Sequence, residues 1–178
     1  DSDNDGILDK VIKGKKTDLK LGLIYSGELG KNIALQLQSD AKKAGIGLDI
    51  ELKEFGLVRK ENLETGKYAL VLNSSVQDVV NDDFSLRFHS ENAELGEGNY
   101  GFYKNKDADQ LIDAINKERN DAKRNDLYKK FQVVVHETLP YIFLYSPSER
   151  IIISNRWKGT TNSKRPGYQA NTFMPSNK

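Results

Sequence analysis

The stretch from Leu19 to Lys53 carries a pattern that constrains the fold. LKLGLIY, residues 19–25, alternates in the manner of a strand. Ser26-Gly-Glu-Leu-Gly30 then reads as a loop. Lys31 to Ala44 places Ile33, Ala34, Leu37, Ala41 and Ala44 on one side of an amphipathic helix. Gly45 stands where a helix end wants a positive φ. Leu48, Ile50 and Leu52 alternate with Asp49, Glu51 and Lys53, which predicts a second strand. Two strands joined through a helix of this length form a βαβ unit and run parallel. The chain is therefore expected to be α/β, with a mixed, partly parallel sheet and flanking helices.

The following segments extend the sheet. Arg59 to Thr65 is polar and reads as a short helix or turn closed by Gly66. Tyr68-Ala-Leu-Val-Leu72 is nearly unbroken in its apolar character, which predicts a central strand buried on both faces. Asn73 to Asp83 is a polar loop after that strand. In open α/β sheets ligands gather beyond the strand carboxyl ends, so this loop is the first place to look for a site. Glu91 to Gly98 reads as a mobile surface loop, and Lys106 to Arg119 as a helix with Leu111, Ile112 and Ile115 inward.

Asn120 to Asn155 reads as a helix, a proline stop and two strands. Leu127, Phe131, Val134 and Val135 share a helical face, Asn120 or Asp121 can cap its start, and Leu139-Pro140 ends it. Tyr141-Ile-Phe-Leu-Tyr145 and Arg150-Ile-Ile-Ile-Ser154 are short apolar runs of strand type. The block is expected to anchor a core.

Composition removes several classes of function. The 27 basic and 26 acidic residues leave a net charge of +1, and no basic face points to nucleic acid. There is no cysteine, which excludes thiol catalysis and zinc-thiolate sites. Gly27, Gly30 and Lys31 lack the spacing of a phosphate-binding loop, with two residues between the glycines and Asn32 after the lysine. The two histidines, His89 and His136, have no partners at catalytic or ligand spacing. Neither G-x-S-x-G nor H-E-x-x-H occurs. No enzyme activity and no cofactor are expected.

A resemblance runs along most of the chain. Arg124, Leu127, Tyr128, Gln132, Glu137, Pro140, Ile142, Leu144 and Tyr145 follow R-x-x-LY-x-x-x-Q-x-x-x-x-E-x-x-P-x-I-x-L-Y. QLQSDAKKAGIGLDIEL, through Leu37, Gln38, Ala44, Gly45, Ile46, Leu48 and Ile50, fits a second recurrent pattern. Tyr100-Gly-Phe-Tyr103 with Asn105, Asp109, Leu111 and Ile112 fits a third, and Trp157-Lys-Gly159 a closing glycine turn. In these features the chain resembles the extracellular solute-binding proteins of peptide and nickel ABC importers, bacterial family 5, oligopeptide/dipeptide-binding type. The resemblance implies one lobe of a periplasmic-binding-protein-like, type II two-lobe fold. Residues 1–159 would be the C-terminal lobe and 160–178 a polar surface tail. It implies capture of an oligopeptide, dipeptide or similar small solute outside the cytoplasmic membrane, in the periplasm or lipid-anchored at the cell surface. The partners implied are the membrane permease and the remaining N-terminal lobe of a longer parent chain, and the abrupt opening on DSDNDG suits a piece cut from such a parent.

The resemblance also directs attention within the loop after Leu72. Peptide-binding members carry an aspartate there that receives the peptide ammonium group, because a buried cation needs a fixed anion. Without gaps, Gln77 falls on that position and Asp78 one residue later; Ser74 stands where Trp is usual, and Asn81, Asp82 and Asp83 replace prolines. Ser74, Ser75, Gln77 and Asp78 are the candidate ligand-binding residues, with Asp78 the candidate anion. Two alternatives accompany this reading: a sensory or regulatory version of the same domain, and a calcium-stabilised extracellular module. The second rests on Asp1, Asp3, Asp5, Gly6 and Asp9, the first half of a calcium loop. Ile12 stands where the loop needs a bidentate Glu, so a plain Asp/Asn/Gly turn leading into a strand is the expected structure there.

Overall fold

The structure is a computed structural model of the 178-residue chain. It describes residues 1–74, 83–146, 151–161 and 168–176. The chain divides into two compact units, one of residues 1–75 with 86–106 and the other of residues 76–85 with 107–178.

The first unit opens with a hairpin, β1 (Asp9–Ile12) against β2 (Lys15–Asp18), antiparallel with Asp9 opposite Asp18. Lys13 and Gly14 turn the chain, both with positive φ, 49° and 78°. A two-residue turn of this hand matches the twist of the strands it joins. The sequence reading missed this hairpin, although a Gly between two short alternating runs was its signal. β3 (Lys20–Tyr25), α1 (Gly27–Lys43) and β4 (Gly47–Leu52) form the expected βαβ unit, parallel, with Leu23 opposite Ile50. After α2 (Phe55–Leu57) and a π-helical turn over Val58–Leu63, β5 (Leu70–Val71) joins β3 in parallel. The order is β4-β3-β5.

β3 is thus the central strand, and its last three residues face both ways. Leu23 and Tyr25 pack with Ala34 of α1, joined by Leu37, Leu48, Ile50, Leu70 and Leu72. Ile24 points to the other face and packs with Val58, Leu63, Tyr68, Val71 and Tyr100. The expectation of a central, doubly buried strand at Tyr68–Leu72 is corrected here. Leu70 and Val71 are half-buried and lie at an edge of the described sheet. The unbroken Leu23-Ile24-Tyr25 triplet was the true mark of burial on two faces.

α1 starts earlier than expected, because Gly27-Glu-Leu-Gly30 is its first turn and not a loop. Ala44 lies just past the helix and is exposed, not inward. Gly45 has φ 76°, and a Cβ there would sit 2.6 Å from Leu8 Cγ, so both backbone and space demand glycine. Later in this unit come α3 (Ser85–Phe88), whose first residue falls in the second unit, and a 3-10 turn over Ser90–Asn92. Asn99, 1% exposed, holds the loop that follows: its Nδ2 donates to the carbonyls of His89 and Tyr103 and its Oδ1 accepts from Tyr103 N–H.

The second unit contains α4 (Lys106–Lys117, beginning at the unit boundary) and α5 (Asp121–Thr138). α4 buries Ala108, Ile112 and Ile115. Asn120 Oδ1 caps α5 by accepting from Lys123 N–H at 3.1 Å. Phe131 and Val135 are buried and Leu127 and Val134 half-buried, the face expected. Phe84 rests on Tyr128 and Phe131, with ring centroids 5.8 and 5.4 Å away. Leu139 ends the helix in the left-handed conformation, φ 48°.

Beyond Leu139 the expectation fails. Tyr141–Tyr145 and the described part of Arg150–Ser154 enter no ladder, and most of their apolar residues are exposed. Among the described residues of the block, the buried ones, Phe131 and Val135, lie on its helix. A strand needs a paired edge and a covered face, and the described residues supply neither here. Farther on, β6 (Trp157–Lys158) pairs antiparallel with β7 (Met174–Pro175), so described tail residues return to the 157–158 segment.

Candidate functional site at the carboxyl edge of the parallel sheet

Because β3, β4 and β5 are parallel, their carboxyl ends fall on one edge of the first unit. Lys53 N–H donates to Tyr25 carbonyl at 3.0 Å, and Leu72 N–H to Ile24 carbonyl at 2.8 Å, so the three strand ends leave the sheet together. Ser26 Oγ donates to Lys53 carbonyl at 2.7 Å. Ser26 therefore ties two strand ends together and makes no side-chain cap on α1, although it occupies the N-cap position. The first turn of α1 opens at this edge and carries Glu28. A carboxylate there opposes the positive end of the helix and suits the site poorly to anions, which agrees with the missing phosphate-loop spacing.

Lys53 and Asn62 add a polar cluster that sequence reasoning did not single out. Lys53 Nζ donates to Asn62 Oδ1 at 3.2 Å and lies 3.6 Å from Glu51 and 3.9 Å from Glu61. Asn62 is 5% exposed and donates to Lys67 carbonyl at 2.7 Å. The signal for this cluster is tertiary, since Lys53 follows β4 and Asn62 lies within the π-helical turn.

Of the residues expected to bind ligand, Ser74 is exposed in the segment leaving β5, on this same edge. Ser75, Gln77 and Asp78 lie outside the described residues. A groove of about 470 Å³ sits between α1 and the start of β4, lined by residues including Leu35, Gln38, Lys42 and Asp49. It lies toward the amino end of β4, and Gln38 Nε2 there already donates to Leu48 carbonyl at 2.6 Å.

The acidic amino-terminal loop forms the expected turn. Asp1 accepts from the N–H groups of Asp5 and Gly6, both at 3.0 Å, and Asp5 accepts from Ile7 N–H at 2.8 Å. Oxygens of Asp1, Asp3 and Asp9 come within 4.8 Å of one another. The Lys16 ammonium pairs with Asp3 and, at 3.4 Å, with Asp9. Ser2 N–H donates to Asp9 at 2.5 Å and, with the Lys16 charge, draws its carboxyl from 3.8 to about 2. A lysine thus supplies positive charge to this cluster. His89 accepts from Glu91 N–H at 3.3 Å in the Asn99-held loop, and His136 is exposed on α5.

No protein-family profile matches the chain. It is 29% identical over 161 residues, 89% of its length, to the oligopeptide-binding protein AppA of Bacillus subtilis. It is 34% identical over 116 residues, 64% of its length, to di/tripeptide-binding protein 4 of Pseudomonas aeruginosa. The structure of Bacillus subtilis AppA in complex with a nonapeptide overlays on 99% of the chain with a TM-score of 0.75 and 24% identity. These relatives and structural neighbours are solute-binding proteins of the peptide and nickel type, and the chain matches a part of each. It spans 29% and 21% of the two sequence relatives and 35% of the AppA structure. These relatives are binding proteins and not enzymes.

Proposed function

We propose that this chain supplies one wall of the solute cleft in an extracytoplasmic binding protein of an ABC importer, and that the solute is an oligopeptide, dipeptide or similar molecule. The observation that carries this reading is the similarity to an oligopeptide-binding protein along 89% of the chain. The parallel sheet supports it, because three strand ends and the Asn73–Ser74 exit converge on one edge. Extended peptides are held through main-chain hydrogen bonds, which read shape more than side chains. Asp78 is assigned to the peptide ammonium group, with Ser74, Ser75 and Gln77 as neighbouring polar contacts. Residues 1–159 serve as the lobe and 160–178 as its tail. The partners are the membrane permease and the remaining lobe of the longer parent, which closes on the solute by hinge motion. Alone, the chain binds weakly, since half the burial is missing.

The test is calorimetric titration of the longer polypeptide that contains this chain with a pool of di- to pentapeptides, repeated with Asp78→Ala. Tight binding that the substitution weakens by about 10-fold or more is the expected result, as for loss of a buried charge partner. Binding that the substitution leaves intact moves the anion elsewhere, first to Asp82. A folded polypeptide that binds no peptide overturns the reading.

A further inference from the structure

The β1–β2 hairpin carries a charge imbalance between its two faces. Residues 10–17, KVIKGKKT, hold four lysines and no acid, and all of them are exposed. Residues directly opposite in an antiparallel pair share a face, and successive residues alternate faces. The register therefore puts Asp9, Val11, Lys16 and Asp18 on one face and Lys10, Ile12, Lys15 and Thr17 on the other. The first face neutralises itself. Lys16 pairs with Asp9 at 3.4 Å and with Asp3 from the acidic turn, and Asp18 pairs with Lys20 at 2.8 Å. The second face has no acid. Lys10 and Lys15, with Lys13 in the turn, make no ion pair among the described residues, and Ile12, opposite Lys15, is 50% exposed.

The composition of this face selects its occupant. Residues 9–18 contain no arginine and no aromatic ring, the side chains that most often anchor one protein on another. Lysine is a point charge on a flexible stem, suited to a diffuse field more than to one fixed carboxylate. Several such charges around an exposed aliphatic side chain match a layer of anionic headgroups over hydrocarbon: the ammonium groups stay among the headgroups and the aliphatic group enters the boundary. Lysines also keep open strand edges from pairing, but that role has no need of an acid-free face. The hairpin leads into the amino end of β3. Leu8 N–H donates to Gly45 carbonyl at 2.7 Å and Gly47 N–H to Leu19 carbonyl at 2.9 Å, which ties its base to the amino end of β4. A surface bound there leaves the carboxyl edge of the sheet open to solute.

We propose that the face formed by Lys10, Ile12 and Lys15, with Lys13 at its tip, docks on an anionic phospholipid membrane. The contact is weak and reversible by itself, and it holds this unit at the bilayer. Its setting rests on the reading of the chain as part of an extracytoplasmic importer component; the charge imbalance of the hairpin does not.

Flotation of the 178-residue chain with vesicles is the test, using equal parts of phosphatidylcholine and phosphatidylglycerol against phosphatidylcholine alone. The chain should float with the anionic vesicles only, and less as salt rises. The triple substitution Lys10→Gln, Lys13→Gln and Lys15→Gln should weaken binding by about 100-fold, at about 5-fold for each cation near the surface. Ile12→Ser should weaken it by about 10-fold, and that loss should persist in salt. The same change of charge on α5, Lys123→Gln, Lys129→Gln and Lys130→Gln, should leave binding as it was. Circular dichroism of each variant checks that the fold is kept, and the wild-type comparison of the two vesicles stands even where a variant fails to fold. Absence of binding to the anionic vesicles overturns the proposal, as do equal binding to both vesicles and equal losses from the α5 and hairpin variants. Retention on immobilised polyglutamate as tight as on anionic vesicles, and unchanged by Ile12→Ser, makes an acidic protein surface the occupant and also overturns it. A triple variant that self-associates but still floats leaves these lysines with edge protection alone and overturns it too. Peptide titration of the longer polypeptide separates the two readings: vesicle binding without peptide binding removes only the solute assignment, and peptide binding without vesicle binding removes only the docking surface.

Discussion

Two apolar strand-type segments of this chain have opposite fates. Leu23-Ile24-Tyr25 in β3 is buried on both faces, with α1 on one side and the Val58–Leu63 turn on the other. Ile142-Phe143-Leu144-Tyr145 is at least as apolar and lies open. The difference is not in the segments but in what the neighbouring chain offers. β3 is followed within 27 residues by a helix and a strand that return to it. The later segment follows a helix, and its described neighbours provide no strand. Apolar alternation states how a segment can be buried; it does not say which polypeptide buries it.

The sharpest way to break this comparison is a matched pair of truncations in the 178-residue chain. Leu23→Ala should cost about 2–5 kcal/mol through lost burial and a residual cavity. Phe143→Ala, at an exposed site, should stay within about 0.5 kcal/mol. Urea denaturation measures both, and equal costs would show that the later segment is buried after all.

Next in size is Asn99→Ala, which leaves Tyr103 N–H and two carbonyls without their buried partner. A loss of about 1–3 kcal/mol is expected. It should be confined to the first unit, with faster exchange around residues 89–103 as the readout.

The two long helices sharpen the contrast at their ends. α1 ends with Gly45 at φ 76°, and α5 ends with Leu139 at φ 48°. Leu139→Gly should relieve left-handed strain and raise the stability of α5 by about 0.5–1 kcal/mol. Gly45→Ala should have the opposite sign, because Leu8 Cγ would lie 2.6 Å from the new Cβ. Thermal unfolding followed by circular dichroism tests both signs.

The smallest effect is set by pH. The Asp9 carboxyl is depressed from 3.8 to about 2. Its stabilisation of the amino-terminal turn is therefore complete above the unfolded value and is lost as pH falls from about 4 toward 2. Amide chemical shifts of Ser2 and of β1 should change in that window, while those of β3 and β4 hold. Shifts that follow an ordinary aspartate curve would show that the Ser2 and Lys16 contacts are not maintained in solution.

Much of the fold could be read from local pattern. The βαβ unit, its parallel register, the glycine at the end of α1, the Asn120 cap and the apolar face of α5 all depend on residues close in sequence. At the candidate site, what was legible is that β3, β4 and β5 bring their carboxyl ends to one edge; most of the loop beyond β5 lies outside the described residues. Lys53 and Asn62 were not legible, since a π-turn brings them together. The Lys13-Gly14 hairpin was legible but hidden by the acidic run before it, which drew attention to calcium.

Sequence by itself determined the βαβ unit, the helices α4 and α5, and that β3 and β4 run parallel, for these follow from periodicity and from the length of the connection. Only tertiary structure decided that β3 and not Tyr68–Leu72 is central in the described sheet, and that Lys16 pairs with Asp3 and Asp9. It alone left Tyr141–Tyr145 uncovered. Each of these depends on which distant surface arrives first at a given face, and burial is a property of the pair of surfaces and not of either one.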